Sequence, residues 1–124
     1  MKKEESIQLA VSKYLKLQYP NVIFTAESSG VRLTLGQAVK AKKQRSPERG
    51  LPDLMIFEAK GNYNGLFIEL KAKSPYLKSG ELSNQEHIQQ QNKVLERLTE
   101  KGYYATFATG FNEAKTIIDK YLNL

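Results

Sequence analysis

Two short apolar runs, each bordered by charge, constrain this chain more than any other feature. Gly50-Leu51-Pro52-Asp53 leads into Leu54-Met55-Ile56-Phe57, and Leu66-Phe67-Ile68 leads into Glu69-Leu70-Lys71. Both runs have strand length and composition, and Gly61 and Gly65 bracket their connection, so the pattern predicts a β-hairpin. Asp53 stands at the start of the first strand. Glu69 and Lys71 are two apart on the second and therefore share a face. Two acids and an amine on apolar strands are costly to bury. Such clusters bind a divalent cation or carry acid/base chemistry.

The composition narrows what that cation is. The chain has 124 residues, no cysteine and one histidine. That length predicts one domain, residues 1–124, with a real core. Without cysteine there is no disulfide and no thiolate zinc site. A metal would be held by oxygens, which favours Mg²⁺ or Mn²⁺. No run is long and apolar enough to span a membrane. The N-terminal residues lack the apolar core of a signal peptide, so a cytosolic protein is the simplest expectation.

The formal charge is +6, and it is unevenly spread. Between Gly30 and Gly50 lie six bases, Arg32, Lys40, Lys42, Lys43, Arg45 and Arg49, against the single acid Glu48. This basic segment runs straight into Pro52-Asp53. A basic stretch beside an acidic cluster suits a substrate whose reacting group is a phosphate. The plainer alternative is a solvated loop kept soluble by its lysines.

Along the chain, residues 4–18 read as an amphipathic helix with Ile7, Ala10, Val11, Tyr14 and Leu15 on one face, closed by Pro20. Val22 to Thr25 reads as a strand, Ser28-Ser29-Gly30 as a turn, and Leu35 to Lys43 as a short helix with few apolar anchors. After the hairpin, Ser74-Pro75 ends the second strand and Tyr76 to Gly80 forms a loop. Ser83 is the expected N-cap of a helix reaching Lys101, stopped by Gly102. A strand over Tyr103 to Ala108 and a helix over Asn112 to Tyr121 complete the pattern. This order predicts a mixed sheet with helices on its faces.

On the helix after the hairpin, Ile88, Val94, Leu95 and Leu98 share an apolar face, with Gln91 near its centre. A buried glutamine needs partners. By the same phase Gln85, Gln89 and Gln90 point elsewhere. His87 lies one turn before Gln91, at the edge of this face; a partly buried, satisfied histidine is the favoured reading, a phosphate contact the other.

Pro52-Asp53…Glu69-x-Lys71 resembles the PD-(D/E)XK nuclease signature. With Gly30-Val31-Arg32-Leu33-Thr34, Gly50-Leu51-Pro52-Asp53-Leu54, Phe67-Ile68-Glu69-Leu70-Lys71 and Gly102-Tyr103, most of the chain resembles the VRR-NUC branch of that superfamily. The resemblance implies a three-layer α/β/α, restriction-endonuclease-like core with a mixed central sheet. It implies a Mg²⁺-dependent endodeoxyribonuclease that hydrolyses phosphodiesters, with Asp53 and Glu69 as metal ligands and the carbonyl of Leu70 as a third. Lys71 would orient the attacking water and offset transition-state charge. The family also carries a glutamine on this helix, which Gln91 matches. Many relatives add a glutamate from the first helix. Helical phase favours Glu4, toward the apolar face, over Glu5; a glutamate that merely favours the helix dipole is the alternative.

Arg32, Lys40, Lys42, Lys43, Arg45 and Arg49 are the candidates for DNA phosphate contacts, with Lys73 and Lys78 continuing the rim. Tyr63 and Tyr76 read as packing residues before base-stacking ones. Stand-alone, phage-type members of this family resemble homodimeric junction-resolving enzymes, which implies branched DNA such as a Holliday junction and a host-cell cytoplasm. A repair-type endonuclease on duplex or flap DNA and a catalytically inactive nucleic-acid-binding module are the rivals. A domain that binds an acidic protein is a weaker one.

Overall fold

The computed structural model describes residues 2–26 and 51–124. The turn and short helix expected between residues 28 and 43 lie outside them. The described elements are α1 (Lys3–Gln18), β1 (Phe24–Ala26), β2 (Leu54–Ile56), β3 (Leu66–Lys71), α2 (Glu86–Glu100), β4 (Tyr104–Thr109) and α3 (Gly110–Leu122).

Strand order in the sheet is β1-β2-β3-β4. β1 and β2 pair antiparallel, as do β2 and β3, which form the expected hairpin. β3 and β4 pair parallel, from Leu66↔Tyr104 to Lys71↔Thr109. A parallel pair needs a crossover, and α2 supplies it. The hairpin connection tightens at Gly61-Asn62, where Lys60 and Tyr63 exchange backbone hydrogen bonds of 3.1 and 2.9 Å. Gly61 takes φ +58° there, a left-handed value that glycine adopts at little cost.

All six residues of β3 are buried. A strand buried on both faces must be covered twice. Leu66, Ile68 and Leu70 face one way and join Leu54, Ile56 and Ala108 in the main core. Val11 and Leu15 of α1, with Ala114, Ile118, Tyr121 and Leu122 of α3, close that side. On the other side Phe107 of β4 meets Ile88 and Leu95 of α2. The fold is therefore a three-layer α/β/α sandwich, with the mixed sheet that the alternation of elements predicts and the layering that the resemblance implies.

A polar joint fixes α1 to α3. Tyr14 and Tyr19 both donate to Asp119 Oδ1, Tyr19 at 2.7 Å, while Lys115 donates to Oδ2 at 3.0 Å. Burial pushes the Asp119 carboxyl up, but these three donors outweigh it and hold the carboxyl below its usual range.

Two boundaries differ from the sequence reading. Ser83 does not cap α2, which starts at Glu86 with Gln85 in the capping position. The Ser83 N–H is already committed to Pro75 O at 2.8 Å. Tyr76 pairs with Leu82 across this turn, so residues 75–83 form a small bridged hairpin rather than an open loop, and the helix begins after it. α3 starts at Gly110, two residues early, because glycine at φ +78° lets β4 pass directly into the helix.

Candidate active site

The hairpin register brings the acids together. Leu54 pairs with Ile68, and one further step of that register sets Asp53 opposite Glu69. Directly opposed residues on one face have their Cβ atoms about 5 Å apart. Leu54 and Ile68 point into the main core, so Asp53, Glu69 and Lys71 point to the α2 side. All three are buried: Asp53 and Lys71 are 9% exposed and Glu69 is 5%.

Backbone and side chains bind the cluster into one network. Asp53 Oδ2 accepts from the Leu70 N–H at 3.0 Å, and Glu69 Oε2 accepts from the Asp53 N–H at 3.3 Å. Each acid is thus held by the other's strand. Gln91 closes the network from α2: its Nε2 donates to Glu69 Oε1 at 2.9 Å, and its Oε1 accepts from Lys71 Nζ at 3.2 Å. One amide therefore matches a carboxylate with its donor and an ammonium with its acceptor. Lys71 Nζ also lies 3.9 Å from Glu4 Oε2 of α1.

The carboxyl groups sit above their ordinary range. Burial raises Asp53; the Leu70 N–H pulls it back and the charge of Glu4 raises it again. Burial raises Glu69 more strongly, the charge of Asp53 adds to that, and Lys71 opposes it. A pair of acids in this condition favours any cation that can reach it.

Helical phase sorts the remaining candidates. Glu4 is the α1 acid that reaches Lys71. Gln91 is the α2 glutamine that reaches the carboxylates; Gln89 donates to Ser83 O and Gln90 to Glu86. His87 is exposed rather than partly buried, because it lies in the first turn of α2 beyond the edge of the sheet. Lys73 is exposed just past the end of β3. Tyr63 packs on Tyr104 at 5.2 Å, as expected of a packing residue. Arg32, Lys40, Lys42, Lys43, Arg45 and Arg49 lie outside the described residues.

Gln8 escapes the sequence reading. It is 9% exposed, one turn beyond Glu4, and its Nε2 donates to the Asp53 carbonyl at 3.4 Å. The signal is present: a glutamine at i+4 from Glu4 and i−3 from Val11 must lie on the buried stripe of α1.

The donors present suit a hard cation. Among the described residues no three His, Asp or Glu side chains gather tightly enough to cage a metal alone. Two carboxylates, with water and phosphate oxygens to complete the shell, are what Mg²⁺ commonly takes. A cleft of about 450 Å³ opens beside them, lined by Glu4, Lys71, Lys73, Tyr76, Leu77 and His87 among others. A second hollow, about 380 Å³ between α2 and β4, contains none of the acids of the network.

No family model matches the sequence, and no curated protein does. A search of solved structures finds a chain described as a VRR_NUC domain protein, at a TM-score of 0.68 and 25% identity. The alignment covers 100% of this chain and 91% of that one. The likeness spans α1, the mixed sheet and both later helices, and the acids opposed across β2 and β3 with the lysine two residues on match the motif that the sequence resembles. The chain thus shares a restriction-endonuclease-like α/β fold with that VRR_NUC domain protein, over its whole length.

Proposed function

We propose that this protein is a metal-dependent endodeoxyribonuclease that hydrolyses phosphodiesters, with branched DNA as its preferred substrate. The observation that carries this reading is the network of buried Asp53, Glu69 and Lys71 with half-buried Gln91, built across two strands and a helix. A network of that kind serves the fold poorly, since apolar side chains would fill the same space at lower cost. It serves the handling of a phosphate well.

Asp53, Glu69 and the Leu70 carbonyl would hold Mg²⁺ or Mn²⁺, which would neutralise phosphate charge and lower the pKa of water at the site. The chain's own residues set the geometry. The Leu70 N–H fixes the Asp53 carboxylate and the Asp53 N–H fixes that of Glu69, so neither needs to reorganise when substrate arrives. Lys71 Nζ, held by Gln91 and near Glu4, can orient the attacking water and offset charge that builds on phosphorus. Gln8 braces the Asp53 backbone. The basic residues between 32 and 49, with Lys73, would contact backbone phosphates without reading sequence.

A homodimer would place one such site on each of two strands. The test is cleavage of matched four-way-junction, flap and linear duplex DNAs with Mg²⁺, Mn²⁺ or EDTA, alongside sedimentation of the protein. Metal-dependent cutting with the junction preferred supports the full reading. Cutting of flap or linear DNA first would make it a repair-type endonuclease. Salt-sensitive binding without cutting under either metal would make it a binding module.

A further inference from the structure

We propose that the cleft beyond Lys71 seats one unpaired nucleotide next to the scissile phosphate. This rests on the nuclease reading and names the feature of the substrate that the site selects. The cleft is lined by Lys71 but by neither Asp53 nor Glu69. Whatever fills it lies beside the reacting phosphate rather than on it. At about 450 Å³ it falls in the range of pockets for small organic ligands, roughly 300–1,000 Å³.

Its lining is mixed in chemistry. Among its lining residues Lys71, Lys73 and His87 suit a phosphate, with Glu4 placed beside Lys71. Tyr76 and Leu77, 49% and 48% exposed, add apolar surface to the same cleft. These two are exposed without being loosely held. They sit on the bridged hairpin 75–83, where Leu77 N donates to Glu81 O at 2.7 Å, Gly80 N to Leu77 O at 2.9 Å and Ser83 N to Pro75 O at 2.8 Å. Tyr76 is further held edge-on to Phe107, at 6.3 Å between centroids. A cleft that combines lysines with hydrogen-bonded apolar side chains is pre-organised for a ligand with an apolar face and an anionic group. A nucleotide is such a ligand, and aromatic contact with its base is tolerant of sequence. A base inside a duplex keeps both faces stacked on neighbours and cannot offer one to Tyr76. The occupant is therefore a nucleotide already out of the stack, as at a branch point or flap.

The experiment compares two labelled substrates, a fully paired duplex and the same duplex with one unpaired 2-aminopurine next to the cut site. Cleavage rates with Mg²⁺ and the 2-aminopurine fluorescence in EDTA are read for the full chain and for Leu77→Ala and Tyr76→Ala. The proposal expects the wild type to favour the unpaired substrate, and the ratio of the two rates to fall about tenfold in each variant. It expects a fluorescence change on binding that the variants weaken. A ratio near one in the wild type, or a ratio the folded variants leave unchanged, would overturn it. If the wild type cuts neither substrate, the fluorescence titration alone decides: a change abolished in Leu77→Ala upholds the nucleotide seat, and no change in the wild type overturns it; the nuclease reading itself fails only if a four-way junction is also left uncut with Mg²⁺.

Discussion

Gln91 is the residue on which the two halves of the site depend, since its amide is the shared partner of Glu69 and Lys71. Gln91→Ala should lower the cleavage rate about 10–100-fold, the usual effect of losing a group that orients a ligand, with Tm little changed. Lys71→Ala removes charge compensation itself and should cost about 10²–10³-fold. Glu69→Gln should abolish cleavage and yet raise the Tm of the metal-free protein at pH 8 by a few degrees, on the order of 1 kcal/mol, because it removes a carboxyl that must take up a proton to be buried at that pH. The pH dependence follows from the same cause. Glu69 is raised from 4.5 to about 9 and Asp53 from 3.8 to about 6 in the folded chain. Between the unfolded and folded values the folded state binds protons that the unfolded state does not, so the contribution of these two groups to stability is greatest below the ordinary carboxylate range and falls as pH climbs toward 9. Thermal melts in EDTA from pH 5 to 9 should show this decline, and excess Mg²⁺ should reduce it. Much of this site is legible in the sequence: strand alternation puts Glu69 and Lys71 on one face, and helical phase separates Glu4 from Glu5 and Gln91 from its neighbours. Gln8 is overlooked because the stripe on α1 is read from its apolar members alone.

At the scale of elements, α1 matters because it carries Glu4 and Gln8 to the site, and the joint of Tyr14 and Tyr19 with Asp119 holds it against α3. Tyr19→Phe should cost about 1 kcal/mol of stability, read by denaturant melts, and should also lower activity by letting α1 shift. Asp119 is held below its usual pKa, so its contribution is present above the unfolded value and is lost as pH falls through the folded one. The elements are easiest to read where periodicity is long: α1, α2 and the hairpin lie within a few residues of expectation. The start of α2 is misplaced because the cue, a serine ahead of an apolar run, is local. The backbone of Ser83 is claimed by Pro75 eight residues back, which no capping pattern reveals. The parallel pairing of β3 with β4 is only implied by the alternation of strand and helix; its register depends on how α2 packs over Phe107.

At the scale of the whole molecule, the sheet divides labour between its faces. One face, under α1 and α3, holds the larger core cluster. The other, only partly covered by α2, presents the acids at the end of the strands, where burial is deep enough to perturb them and open enough to admit a ligand. The chain carries a formal net charge of +6. DNA affinity should therefore fall steeply with salt. Replacing Lys42 and Lys43 with alanine should flatten the slope of log affinity against log salt by about one for each phosphate that is no longer neutralised. The central claim is that Asp53, Glu69 and Lys71 form a metal-dependent phosphodiesterase centre. The most direct measurement is the single-turnover cleavage rate of a four-way junction with Mg²⁺ and with EDTA, for the wild type beside Lys71→Ala. The account predicts cutting that requires Mg²⁺ and drops about 10²–10³-fold in the variant while junction binding persists. Cutting that survives EDTA, or that Lys71→Ala leaves intact, would contradict it.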